Sequence, residues 1–230
     1  MKIAYTGLDL PEGKVKYNDP IFTGLVEKFQ PGKVSPQYFE FLPDDYEAAD
    51  VIAIAEERLL DLLILDMDKV EVRLSRSEDG EERRVLEKSL THLEEMKPIC
   101  DLPLDDGELA IVRALNPLSL TPTVVYNGIT ADPDTVARDG MEKADRMFFY
   151  TVGKEEVHAW LVDRNTNAVT CAAKIHSDLA RGFIKAEVVS CDDMMTVHSM
   201  QDARAKNLTR LFDRDQTIPV NSILDIRFSA

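Results

Sequence analysis

Ile175-His-Ser-Asp-Leu-Ala-Arg-Gly-Phe-Ile-Lys-Ala-Glu-Val-Val-Ser190 is the stretch from which this chain is best read. Its second half, Phe183 to Ser190, is an apolar run of strand length. The polar residues before it predict a loop in which Asp178 caps a turn. Upstream, Val157 to Asp163 reads as a strand and Val169 to Ile175 as a short helix. Downstream, Val220-Asn221-Ser222 is a turn and Ile223 to Phe228 a closing strand. Strand, helix, strand and closing strand make a small α+β lobe over residues 150–230, with Trp160 in its core.

Working back towards the start, the helical pattern is strongest at Glu56 to Arg76, rich in Leu, Glu, Asp and Arg. Ser77-Glu-Asp-Gly80 breaks it. Glu81 to Met96 then carries Val85, Leu86, Leu90 and Leu93 on one stripe, and Lys97-Pro98 ends it. Two helices joined by a short polar turn predict an antiparallel hairpin over residues 56–96. Leu59, Leu63, Met67, Val70 and Leu74 should face that stripe. The flanking segments, 1–55 and 97–149, read as an α/β lobe. Lys2 to Thr6, Gln37 to Phe41, Val51 to Ala55 and Thr123 to Tyr126 are its strands. Val51 to Ala55 equally fits the first turn of the helix after it. A short helix follows Asp19-Pro20 and stops at Pro31-Gly32; others are expected at Leu109 to Leu115 and after Asp132-Pro-Asp-Thr135.

The net charge of −15 is shared unevenly. From Tyr150 onward there are 10 basic and 11 acidic residues, against 17 and 31 before it. An early lobe so acidic repels phosphate backbones, which excludes a general nucleic-acid binder and leaves any RNA contact to the last lobe. No DNA partner is expected. Three scattered cysteines, Cys100, Cys171 and Cys191, suit reduced thiols in a cytoplasm better than a disulfide framework or a zinc site. No apolar run approaches the roughly 18 residues of a membrane span, and no secretory signal precedes the first strand. A chain of 230 residues buries about 70% of its unfolded surface, enough for two lobes.

Ile175 to Ser190, with Val157-His-Ala-Trp160 before it and Ile226-Arg-Phe228 after it, resembles the C-terminal TGS-type domain of the YchF family of Obg-like P-loop ATPases and GTPases. The resemblance extends to Asp61-Leu-Leu-Ile-Leu-Asp66, Val70-Glu-Val-Arg-Leu74 and Leu86 to Glu95, similar to the family's coiled-coil insertion. Asp19-Pro20 through Leu25, then Pro31, Lys33, Val34, Pro36 and Glu40-Phe41, resembles the approach to its second nucleotide motif. The resemblance implies a reduced GTPase-like α/β remnant carrying the hairpin, and a C-terminal β-grasp. It also implies a ribosome, RNA or translation-related protein as partner.

The departures bear on function. A phosphate loop ends in Gly-Lys-Ser or Gly-Lys-Thr, whose hydroxyl holds Mg²⁺. Here Gly7-Leu-Asp-Leu-Pro-Glu-Gly13-Lys14 is followed by Val15, with one residue too many between the glycines and Pro11 removing an N–H donor. Residues 42–51 are too few for the family's Asp-x-x-Gly motif and switch region. Asn127 lies near a base-reading Asn-x-x-Glu, but Gly128-Ile129-Thr130 lacks the Glu. Gly7, Gly13, Lys14 and Asn127 are the candidate vestigial nucleotide ligands; against that, Gly13-Lys14 reads more simply as a solvated surface turn, Pro31-Gly32-Lys33 as a helix stop and Asn127 as an ordinary strand-to-loop residue.

No catalytic residue or metal ligand is expected. His176, Asp178 and Arg181 lack a nearby nucleophile and read as structural. Cys191-Asp-Asp-Met194 reads as surface, because one soft and two hard ligands in succession make poor tetrahedral geometry. Arg164, Lys174, Arg181 and Lys185 are candidate contacts to RNA or an acidic protein, and equally ordinary surface charge. The sequence thus points to a non-catalytic YchF-like binding protein with no cofactor. The alternative is residual ATP or GTP binding with Mg²⁺, or slow hydrolysis.

Overall fold

The computed structural model describes residues 1–78 and 80–229. In chain order the elements begin with β1 (Lys2–Thr6), β2 (Gly13–Lys16), α1 (Pro20–Phe29), β3 (Lys33–Ser35), β4 (Tyr38–Pro43) and β5 (Val51–Ala55). Then come α2 (Glu56–Leu74), α3 (Gly80–Glu94), α4 (Asp106–Arg113), β6 (Thr123–Tyr126) and α5 (Pro133–Lys143). The remainder is β7 (Arg146–Val152), β8 (Glu156–Asp163), α6 (Ala168–Ile175), α7 (Ser177–Arg181) and β9 (Phe183–Ser190). It ends with α8 (Cys191–Met195), α9 (Met200–Ala205), β10 (Arg210–Phe212) and β11 (Ser222–Phe228). The break expected at Ser77 to Gly80 is present, although Asp79 within it falls outside the described residues.

These elements form two compact units. The first comprises Met1–Val15 and Tyr38–Ala144, the second Lys16–Gln37 and Asp145–Ala230. The sequence reading placed all of residues 1–55 in the early lobe, whereas Lys16–Gln37 folds with the C-terminal segment. The charge division is sharper for it. The second unit holds 14 basic and 14 acidic residues, the first 13 and 28, so the whole net charge resides in the first.

In the first unit, five strands lie in the order β2-β4-β1-β5-β6, with β4, β1, β5 and β6 parallel. β5 is buried at every residue, as expected of a strand covered on both faces. Ile52 and Ile54 join the cluster built on α2 and α3, while Val51 on the other face lies against Gly140 of α5. This explains the unbroken Val-Ile-Ala-Ile-Ala run. Leu59, Leu62, Leu63 and Val70 of α2 pack with Val85, Leu86 and Leu93 of α3. Asp66, on the buried side of α2, accepts the Leu118 and Ser119 amides at 2.6 and 2.7 Å and so closes a short 3₁₀ turn. Glu108 closes α4 in a capping box with Asp105 and takes Arg84 and Lys88 from α3.

The second unit is a mixed sheet, β10-β9-β11-β7-β8-β3, with α6 packed on it through Ala168 and Cys171. β7 and β8 are antiparallel over seven residue pairs, and β11 runs between β7 and β9, parallel to the first and antiparallel to the second. The Arg181-Gly182-Phe183 step of the sequence has a steric cause. A Cβ on Gly182 would lie 2.1 Å from the Ser229 carbonyl oxygen, while the Ser229 amide donates to the Gly182 carbonyl at 2.8 Å. Trp160 is half-buried against this core; its ring stacks on His158 and Phe149 and its Nε1 donates to Thr151.

Lys16–Gln37 joins this unit by two devices. β3 pairs in parallel with β8, where Glu156 takes Ser35 at 2.5 Å and Lys33 at 2.8 Å. Asp19, 7% exposed, caps α1 by accepting the Ile21 amide at 2.9 Å. Its other oxygen accepts the buried Tyr150 hydroxyl at 2.6 Å. Burial and the adjacent carboxylate push the Tyr150 hydroxyl far above its ordinary pKa, so it remains a donor. Asp19→Ala removes a cap and strands a buried hydroxyl, and should cost about 2–4 kcal/mol in urea unfolding. Tyr150→Phe, which leaves the cap intact, should cost about half as much. Equal losses would show that the cap contributes nothing.

Candidate functional site

The first unit's sheet reverses its connectivity at β1, which lies between the later strands β4 and β5. In open α/β sheets, the crevice beyond the carboxyl end of such a strand is the usual ligand site. Thr6 ends β1 there. Its hydroxyl donates to Asp44 at 2.7 Å and lies 2.6 Å from the Tyr46 hydroxyl. Gly7 follows in the left-handed region at φ 71°, and a Cβ on it would sit 2.7 Å from Cγ of Arg58 and 3.0 Å from Cβ of Ala55. The chain thus leaves β1 pressed against the first turn of α2.

The next residues are packed down. Leu8 and Leu10 are buried, and the Asp9 amide donates to the Ile129 carbonyl at 2.7 Å. The loop over residues 7–12 then enters β2, a strand beside β4 at the sheet edge. Gly13 and Lys14 are therefore strand residues, followed directly by more strand and not by a helix. A phosphate loop needs a helix N-terminus there, whose free amides and dipole hold the anion. The nearest helix start, that of α2, carries Glu56 and Glu57 in its first turn, which already complement its dipole.

The expected ligands are also dispersed. Lys14 is on β2 and Asn127 follows β6, at opposite edges of a five-stranded sheet. With strands about 4.8 Å apart, that is roughly 19 Å. Asn127 is exposed. The surroundings of β1's end are acidic: burial, then Glu12, Asp44 and Asp9, raise the Tyr5 pKa. Among the described residues no group of three or more His, Cys, Asp or Glu is placed to hold a metal.

In the second unit, three of the four candidate cations are engaged. Arg164 pairs with Asp145 at 3.3 Å, Arg181 with Asp178 at 3.1 Å, and Lys185 with Asp213. Lys174 is exposed in the last turn of α6. Arg181 and Asp178 border an open cleft of about 500 Å³ with Gly182, Phe228 and Ser229. Beside it, Arg214 lies 6.0 Å above the Phe183 ring and reaches the Ala180 carbonyl. Arg214 escaped the sequence reading because the pairing is made in space, across thirty residues. Lys33, read as part of a turn, is a strand residue paired with Glu156.

Two expectations are corrected. His176, not Asp178, caps α7: its Nδ1 accepts the Asp178 amide at 3.2 Å. The Cys191-Asp-Asp-Met194 segment is surface only at its aspartates, since α8 turns Cys191 and Met194, three residues apart, into the interior. Burial pushes the Cys191 thiol up to about 12, which makes it inert at neutral pH. Cys100, Cys171 and Cys191 are all free thiols.

Comparison with known proteins places these units. Residues 147–229 match the family described as YchF-GTPase_C, Protein of unknown function (DUF933). The last β-rich segment is thus similar to the family's C-terminal domain. The chain is 40% identical over 81 residues to the "Ribosome-binding ATPase YchF" of Mycoplasma genitalium, a match covering 35% of this chain and 22% of the relative. It is 33% identical over 81 residues to the Bacillus subtilis protein of that name, covering 35% and 22%. To the "Obg-like ATPase 1" of Xenopus laevis it is 31% identical over 94 residues, covering 41% and 24%. The chain therefore spans less than a quarter of the length of these relatives. Among solved structures, that of the Schizosaccharomyces pombe YchF GTPase superposes with a TM-score of 0.80 at 15% identity, covering 99% of this chain and 97% of that one. The whole chain shares its fold with a YchF GTPase. Among the described residues no helix is long and apolar enough to cross a membrane.

Within the matched segment, the carboxylate of Glu187 is structural. Glu187 of β9 is 1% exposed and accepts Arg204 through both oxygens and Arg227 at 2.8 Å. Arg204 first, and then Arg227, hold its carboxyl down to about 2, against an ordinary 4.5. Its contribution is therefore complete above about pH 4.5 and is lost as pH falls towards 2. From the shift, and allowing for the half-exposed arginines, it is on the order of 2–3 kcal/mol. Glu187→Gln should lower stability at pH 7 by that order and flatten the loss between pH 4.5 and 2. An unchanged acid limb in the melting curves would exclude this role.

Proposed function

We propose that this chain is a YchF-like binding protein that associates with the ribosome or translation apparatus and does not turn over nucleotide. In this reading, the first unit is a reduced GTPase-like lobe carrying an antiparallel hairpin over residues 56–96. The second is a TGS-type β-grasp that provides the main contact. The observation that carries the non-catalytic part is the exit from β1. A packed loop with buried Leu8 and Leu10 leads into strand β2, where a nucleotide hydrolase needs an amide-lined loop and a helix. Val15 has no hydroxyl for Mg²⁺, and Glu12, Asp44 and Asp9 act on the Tyr5 phenol near the end of β1.

The ribosomal part is supported by the names of the relatives, which are called ribosome-binding ATPases. Electrostatics favours the second unit for RNA, because its charges balance while the first unit carries the full −15. Lys174, Arg181, Lys185 and Arg164 are the contacts this reading selects. The expected location is the cytoplasm. A second reading, residual ATP or GTP binding at β1, is favoured by the relatives' names and by the contact between the loops at Asp9 and Ile129.

Two measurements separate them. Titration with ATP or GTP and Mg²⁺ should leave the melting temperature unchanged. True binding at about 100 times Kd would stabilise by roughly 2.7 kcal/mol, and loss of that shift in Lys14→Ala would establish the second reading. The purified chain should co-sediment with ribosomes at moderate salt. The triple change Lys174→Glu, Arg181→Glu and Lys185→Glu should reduce the bound fraction about tenfold and leave the melt unchanged. Absence of co-sedimentation by the parent chain would refute the ribosomal assignment.

A further inference from the structure

α2 is apolar on two sides. One side packs against α3, through Leu59, Leu62, Leu63 and Val70. Away from it, Leu60, Ile64, Leu65 and Val72 are 44, 43, 46 and 53% exposed. Helix α3 has no such second face; its outward positions are Arg83, Arg84, Glu87, Thr91 and Glu94. Four half-exposed aliphatics on one helix, beside a neighbour whose outer surface is wholly polar, mark a surface kept apolar for contact.

The spacing defines what fits. Asp61, Leu65, Asp68 and Val72 follow one another by four, three and four residues, the seam of a helix that meets another along its length. Aliphatic and acidic residues alternate on this seam, with Leu60 and Ile64 on its flank. Burying the aliphatics also buries the carboxylates, and a buried carboxylate requires a cation. Asp61 has only the exposed Arg58 at 3.1 Å, and Asp68 has no ion pair among the described residues. A second copy docked face to face would set these aspartates against the same aspartates of a unit with net charge −15. RNA and anionic lipid are repelled for the same reason.

We propose that this face of α2 docks a basic amphipathic helix of another protein. Aliphatic side chains of that helix rest on Leu65 and Val72, and its lysines or arginines meet Asp61 and Asp68. The docking is independent of whether the second unit meets the ribosome. The probe is a labelled three-heptad helical peptide with leucine at every a and lysine at every d position, followed by fluorescence anisotropy on the full chain at low salt. A scrambled peptide of the same composition measures attraction by net charge alone. The amphipathic peptide should bind at least about tenfold more tightly than the scrambled one. Leu65→Ser with Val72→Ser, and separately Asp61→Lys with Asp68→Lys, should each weaken it about tenfold. Glu87→Lys with Glu94→Lys on α3 should not. All these positions are exposed, and an unchanged melting temperature verifies folding. Equal binding of both peptides, no binding, or an equal effect of the α3 variant would overturn the proposal. So would a dimer in sedimentation that dissolves on Leu65→Ser with Val72→Ser, because the face would then be a self-interface.

Discussion

The carboxylate of Asp19 joins two parts of the chain 131 residues apart. One oxygen closes the start of α1, and the other receives the hydroxyl of Tyr150 in β7, both away from water. A buried hydroxyl needs an acceptor and a helix start needs a cap, so one side chain answers two demands. α1 and β3 consequently belong to the C-terminal unit. Within the first unit, residues 7–12 link β1 to strand β2 and not to a helix.

Function follows from this allocation. A parallel sheet places its ligand crevice where the connectivity reverses, but the crevice acts on phosphate only when amides and a helix dipole face it. Here Gly7 brings the backbone onto Arg58, Leu8 and Leu10 are buried, and Asp9, Glu12 and Asp44 act on the Tyr5 phenol at the end of β1. The chain shares the fold of a YchF GTPase, and at the end of β1 it sets Gly7 against Arg58 and buries Leu8 and Leu10. In the proposed reading, fold is separate from activity, because activity rests on a few groups at the strand ends.

The carboxylates divide by environment. Asp19, Asp66, Glu108 and Glu187 are buried, and each accepts backbone amides, a hydroxyl or cations that hold elements together. The remaining acids of the first unit lie mostly in solvent and set its field. On α2 the two kinds occur in one helix. Asp66 is spent internally on the 3₁₀ turn, while Asp61 and Asp68, among exposed aliphatics, face outward. A helix so arranged stabilises its own unit and still presents a surface of defined chemistry.

Local pattern was sufficient for much of this. The all-apolar β5, the two long helices with their facing stripes, the Asp19-Pro20 helix start and the strands β8, β9 and β11 are legible because periodicity and capping act over a few residues. The absent hydroxyl after Lys14 was legible for the same reason. The short strands β2, β3 and β10 were not, since three or four residues carry no period and become strands only when a distant strand supplies hydrogen bonds. Nor was the interior position of Cys191 and Met194, whose residue types suggest ligands until α8 turns both inward. Sequence alone therefore determined the longer helices and most of the longer strands, and which hydroxyl the loop lacks. The tertiary structure decided which unit owns α1, where Lys14 and Asn127 lie, and which aspartates face solvent. Each of these depends on contacts between residues far apart in the chain, and no local pattern encodes them.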